Sequence, residues 1–301
     1  VSKGTPRLAA EGFRCKSRDR KGQNMTDQRY GNWIGAQQSS RDWLAPQPAR
    51  FMQATLDRDQ DLRDGDHLPP LWHWLYFLEA KPASELGRDA HPKKGGFLPP
   101  IDLPRRMWAG GRFEFNAPLR LGDWAEKRST IVNVSEKSGR SGALCFVTVQ
   151  HEIFQQDRLC LIEEHDIVYR EDPAPGSPKP ALQKAPESHE FSRSVTPTEV
   201  MLFRYSALTF NGHRIHYDVD YARDVEGYDG LVFHGPLTAT LLVDLACAET
   251  GRHPQSFSFR GVSPLAGMQP FDIQGTKSGS TLDLWAKTAG GDLAMSAQAV
   301  F

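Results

Sequence analysis

The chain has 301 residues, enough for two ordinary domains or one large one with a substantial core. Its 36 Lys and Arg nearly cancel its 37 Asp and Glu, and a formal net charge of -1 argues against a nucleic-acid partner or an anionic membrane surface. No apolar run approaches the roughly 18 residues of a spanning helix. The four cysteines (Cys15, Cys145, Cys160, Cys247) lack CxxC spacing, which predicts a reduced, cytoplasmic compartment and no cysteine chemistry.

Residues 1–24 are basic and poor in apolar pattern, with Met25 directly after them, and are expected to be an extension outside the fold. Next, RDGDHL (63–68) sets Asp64, Asp66 and His67 just before LPPLWHWLYFLEA (68–80), which predicts an apolar helix opened by Pro70 and Leu71. HPKKGGFLPPIDLPRRMW (91–108) reads as a covering loop with two basic pairs, Lys93-Lys94 and Arg105-Arg106. A strand with a proline kink follows at 112–123, then a hairpin over 129–154 that turns at SEKSGRSG.

EDPAPGSPKPALQKAPES (171–188) carries five prolines and no periodic apolar face, the pattern of a semi-rigid linker. It separates a half at 25–170 from a half at 189–301. In the second half FNGHRIHYD (210–218) places two histidines three apart, with Asn211 before them and Tyr217 and Asp218 after. Metal ligands, an acid–base set and a plain polar loop all fit that spacing. FHGPLTATLLVDLACAE (233–249) predicts a helix with Pro236 in its first turn and Cys247 in the core. A proline-kinked strand at 256–268 and a hairpin over 281–301 complete the chain. Each half is thus one apolar helix followed by an antiparallel meander, a faint internal repeat best buried by curving the sheet around the helix. The class is α+β.

That architecture resembles a double hot-dog, and the second half resembles the MaoC-like dehydratases and (R)-specific enoyl-CoA hydratases. Their Asp-x-Asn-Pro-(Ile/Leu)-His loop and helix-start His-Gly are matched by Asn211, His213, Ile215 and His216, and by His234-Gly235. The wording FRYSALTFNGHRIHYD is similar to the type 2 hydroxyacyl-thioester dehydratases and the mesaconyl-CoA and itaconyl-CoA hydratases. This resemblance covers nearly all of 25–301 and makes the first half a degenerate hot-dog. It implies a hydro-lyase that interconverts an enoyl-CoA and a 3-hydroxyacyl-CoA, with a branched C5 dicarboxylyl-CoA as one substrate class. His216 takes the catalytic histidine place, and Asn211, where the family has Asp, serves as an orienting hydrogen-bonding group rather than a base.

Hydration of an α,β-unsaturated thioester needs a base for water, an acid for the α-carbon and a holder for the enolate oxygen. Histidine suits the first two. A helix N-terminus suits the third, and Gly235 before Pro236 lets a carbonyl approach the backbone. His234 and His213 are expected to shape this substrate-binding loop, and the former to cap or pack at the helix start. Arg260, with Arg204, Arg214 and Arg223, is a candidate for a substrate carboxylate, whereas Lys93, Lys94, Arg105 and Arg106 are candidates for CoA phosphates.

The implied partner is an acyl-CoA thioester. No metal and no redox cofactor are expected, since no GxGxxG follows a strand. A monomer containing its own pseudo-dimer and a homodimer both fit. The rival readings are a hot-dog thioesterase using Asp244 or Glu249, and a catalytically silent acyl-CoA-binding module.

Overall fold

A computed structural model of the protein describes residues 29–139, 142–172 and 181–301. The expected extension, the tip of the 129–154 hairpin and the middle of the proline-rich segment fall outside them. The first half runs β1 (Gln37–Trp43), α1 (Pro46–Thr55), β2 (Arg105–Phe115), β3 (Trp124–Gly139), β4 (Gly142–Gln155) and β5 (Arg158–Arg170). The second runs β6 (Phe191–Val195), α2 (Glu199–Leu208), α3 (Gly235–Thr250), β7 (Ser256–Gly261), β8 (Phe271–Ser278), β9 (Thr281–Thr288) and β10 (Leu293–Val300).

All ten strands form one antiparallel sheet in the order β1-β3-β4-β5-β2-β7-β10-β9-β8-β6. Read outward from the centre, the two halves have the same order, so the repeat is a pseudo-two-fold about the β2–β7 pair. That seam depends on glycine. Gly110 faces Arg260 and Gly111 faces Phe259 in register, and a Cβ on Gly110 would lie 2.5 Å from the Phe259 carbonyl oxygen.

The 233–249 segment forms a helix as its pattern predicts. Pro236 occupies the first turn of α3, where a missing N–H costs nothing, and Gly251 closes it at φ 69°. Ten consecutive residues, Leu237–Ala246, are buried, because β7, β8, β9 and β10 wrap it. The end of the linker region packs against β9 and β10, with Ala185 buried beside Trp285 and Leu293 and donating its N–H to the Gly291 carbonyl.

The predicted helix at 68–80 does not form. Only a 3₁₀ turn, Trp72–Leu75, appears, between Leu71 at φ 67° and Phe77 at φ 57°. Pro69 and Pro70 fix the entry, and the two left-handed residues end any helical path. The side chains that looked like a helix face serve burial instead: Trp72, Leu75 and Tyr76 join the main core, and His73 turns inward to Glu163. The proline-kinked strands also differ, since β2 stops at Phe115 and β7 at Gly261, ahead of their prolines. No helix of the described residues is long and apolar enough to cross a membrane.

Candidate active site

The 210–218 loop is built by its own polar side chains. α2 begins with Thr198, whose hydroxyl accepts from the Met201 N–H. After α2, Phe210 turns left-handed at φ 48°, and the Asn211 N–H reaches back to the Ser206 carbonyl at 2.8 Å. The Asn211 Oδ1 accepts from the His213 N–H at 3.0 Å, an Asx turn that leaves the amide nitrogen free to donate. A 3₁₀ turn over Arg214–His216 then buries Ile215 and His216.

His216 donates Nδ1–H to the Val232 carbonyl at 2.7 Å. A carbonyl only accepts, so this bond fixes the tautomer and leaves Nε2 with its lone pair. Burial pushes the imidazole down to about 4, neutral at physiological pH. His234 caps α3 and is fully buried. Its ring stacks on that of His216 with centroids 3.6 Å apart, its Nε2 meets the Ser206 hydroxyl at 2.8 Å, and its Nδ1 has no partner. Burial holds it well below the ordinary histidine range. At the start of α3 the Gly235 and Leu237 N–H groups have no acceptor within the helix. A Cβ on Gly235 would meet nothing within 4 Å, so open space lies over that backbone.

These groups line one cavity of about 480 Å³, together with His91, Arg106, His165, Ser263 and an apolar wall that includes Phe233 and Phe259. Asn211, His213, His216 and Gly235 all come together there. His234 sits directly behind His216. Arg260 does not join them: it is solvent-exposed on β7, and Arg214 is occupied by Asp218 at 2.7 Å. Among the other basic candidates, Lys93 donates to the Ser84 carbonyl, Lys94 to that of Leu103, and Arg105 is buried against Glu226 at 2.5 Å. Arg106 alone reaches the cavity wall.

The first half supplies a carboxylate that sequence reasoning did not find. Asp89 accepts from its neighbour His91 twice, from Nδ1 at 2.9 Å and from the backbone at 3.0 Å. The Arg214 N–H donates to the Asp89 carbonyl at 3.1 Å, which ties the two loops together. Burial opposes ionisation of Asp89, but the His91 hydrogen bond and charge outweigh it and hold the carboxyl well below its usual range. The His91 ring lies 4.3 Å from His213, which is 5.6 Å from His216, so four imidazoles run in a row from Asp89 to the helix start. Burial depresses His91 and His213 as well. Asp89, His91 and His213 bring ligand atoms within 4.8 Å of one another. The Asp89–His91 hydrogen bond already uses two of those groups, and the Arg106 charge that lowers both histidines would oppose a cation.

The asparagine cavity continues into the first half. A second space of about 1040 Å³ shares His91, Trp108, His165 and Asn211 with it and ends at a buried polar group. There Glu163 accepts from His73 Nε2 at 2.9 Å and from Trp74 Nε1 at 3.1 Å. Burial resists its charge, and His73 overcomes that. The Asp64–Asp66–His67 trio of the sequence serves the loop: Asp66 accepts from the Arg63 N–H, and His67 bridges to Arg120.

The sequence and the fold are similar to those of known proteins. The pattern of the type 2 hydroxyacyl-thioester dehydratases matches residues 71–267. The mesaconyl-C(4)-CoA hydratase of Chloroflexus aurantiacus is 48% identical over 269 residues, 88% of this chain and 95% of that one. The mitochondrial type 2 hydroxyacyl-thioester dehydratase of Schizosaccharomyces pombe is 28% identical over 285 residues, 81% of this chain and 91% of its own. Among solved structures, a MaoC-like dehydratase from Phytophthora capsici superposes with a TM-score of 0.65 at 13% identity, covering 90% and 96% of the two chains. A Mycobacterium tuberculosis protein with a double hotdog fold gives 0.51 at 13% identity, covering 89% and 96%. The fold is a double hot-dog, and the chain belongs to the type 2 hydroxyacyl-thioester dehydratases, a family of acyl-thioester hydratases and dehydratases.

Proposed function

We propose that the protein hydrates mesaconyl-C4-CoA reversibly, with His216 as the base and Asn211 as the group that holds the water. The observation that carries this is the free Nε2 of a neutral His216, fixed by the Val232 carbonyl, in a cavity beside the open N-terminus of α3. The thioester carbonyl takes the Gly235 and Leu237 N–H groups, whose dipole end favours the enolate oxygen that develops. Water donates to His216 Nε2 and accepts from the Asn211 amide. As His216 takes the proton, the water oxygen bonds to the β-carbon and the C=C electrons move towards the thioester. The α-carbon is then protonated by the imidazolium of His216, which returns the proton taken from water, so that one water is added in total. Stacked on His216 and tied to Ser206, His234 holds the base in place.

The mesaconyl group suits the 48% identity to the Chloroflexus aurantiacus enzyme. A thioesterase would need a helix carboxylate facing the thioester. Asp244 is paired with Arg58 at 2.9 Å and Glu249 faces Lys277, and neither lines the cavity.

The test offers purified protein crotonyl-CoA, mesaconyl-C4-CoA and itaconyl-CoA, and follows enoyl-thioester absorbance separately from free thiol. Loss of absorbance with mesaconyl-C4-CoA and no free CoA is the expected result. Release of free CoA would instead mean a thioesterase, and binding without either change a silent module.

A further inference from the structure

We infer that Arg106 is the receptor for a free carboxylate on the acyl group, which makes this cavity selective for dicarboxylic over monocarboxylic acyl-CoA thioesters. The inference deepens the thioester reading above and rests on it.

β2 alternation turns the two adjacent arginines to opposite environments. Arg105 is 5% exposed and already paired, with Glu226 at 2.5 Å, the Glu226 carbonyl at 3.1 Å and the Tyr228 hydroxyl at 3.2 Å. Arg106, half-buried, lines the cavity and forms no ion pair with a described carboxylate. No Asp or Glu lines that cavity, and no other Lys or Arg does. The remaining titratable groups on the wall are four histidines and Tyr228, which burial keeps neutral, His165 at about 4 among them. One permanent positive charge therefore faces a space lined by no carboxylate, where a guanidinium whose neighbour is the Tyr169 hydroxyl rather than an acid favours an anion.

Its location fits an acyl carboxylate rather than the thioester. Arg106 lies on β2 of the first half, whereas His216 and the start of α3 belong to the second, and all of them line the same cavity. The helix start and the base hold the thioester end of the acyl group in the reading above, which leaves Arg106, on the wall that the first half supplies, for the other end. A mesaconyl group esterified at C4 carries its free carboxylate on the β-carbon, the atom that water attacks. A fork-shaped guanidinium on that carboxylate would fix the β-carbon as well as select it.

The experiment measures binding of two unreactive ligands, succinyl-CoA and butyryl-CoA, by calorimetry on the full chain. They share the CoA moiety and the chain length and differ in the terminal carboxylate. Wild type is expected to prefer succinyl-CoA by roughly 10- to 100-fold, the range of a charged hydrogen-bonded pair. In Arg106→Met the succinyl-CoA affinity should fall to about the butyryl-CoA value, and Arg106→Lys should restore part of the preference. No preference in wild type would overturn the inference. So would a parallel loss of both ligands in Arg106→Met, which would assign the arginine to the CoA phosphates or to the fold. A wild type that prefers succinyl-CoA but does not hydrate mesaconyl-C4-CoA would keep the carboxylate receptor and sink the substrate named above.

Discussion

In the second half, residues 235–250 form a buried 16-residue helix whose open end faces the cavity. In the first half the matching place in the chain holds Leu68–Phe77, pinned by two prolines, and beside it lies a space of about 1040 Å³. The sheet is repeated and the helix is not. In the proposed reaction a helix start is needed once, to hold one thioester oxygen. Freed of that duty, the first half contributes what the second half lacks: Arg106, and the Asp89–His91 pair that brings a carboxylate to a loop with asparagine at its head. The histidines of the two halves also divide by task. His73 is tied to a buried Glu163, whereas His216 keeps one nitrogen open.

The contrast can be broken at several points. His216→Ala should lower kcat for hydration by roughly 100- to 10,000-fold while the circular-dichroism spectrum stays native. A variant that retains hydration would remove the base from the second half. His73→Ala should act the other way, destabilising the fold by about 3–5 kcal/mol in urea unfolding, because Glu163 would be left as an unpaired buried charge. Little change there would mean that the first-half pair is not structural. Gly235→Ala meets nothing in the folded protein. It should leave the melting temperature unchanged or raised, yet cut kcat/KM roughly 10- to 100-fold by placing a methyl where the carbonyl approaches. Equal activity would take the thioester away from the start of α3.

Acid should expose both halves together. The folded pKa values of His216 and His165 are about 4 and that of His151 about 3, all below the unfolded value near 6.5. The unfolded chain therefore binds more protons as pH falls below about 6.5, and stability is lost progressively towards pH 4. Between pH 6.5 and 5.5 each such histidine should cost about 1 kcal/mol, readable as a falling unfolding midpoint. A flat midpoint across that window would show the imidazoles to be solvated.

Much of the second half was legible because its signals are local. Pro236 followed by an unbroken apolar run reads as a buried helix. The Asn211–His216 loop and His234-Gly235 carry a resemblance strong enough to name the family and to propose a base. The first half misleads because LPPLWHWLYFLEA has the composition of a helix face but the backbone of a strap, with Leu71 and Phe77 left-handed. α2 had a readable start in Thr198 and Glu199, and β5 a readable alternation, yet both lie between stronger patterns. Asp89, His91 and Arg106 sit in stretches that read as loop or cover. Asp89 and His91 reach the site through contacts with Arg214 and His213, residues more than one hundred positions further on, and no short window of sequence contains that information.

The β2–β7 seam has an evolutionary consequence. In a symmetric pair of identical subunits, every substitution is made twice, and a residue that improves one site alters its twin. Here the two copies are joined in one sheet and encoded separately, so each can change alone. An arginine could be placed opposite the histidine without a second arginine appearing where the histidine must work. The tether lets a two-fold scaffold hold one lopsided site.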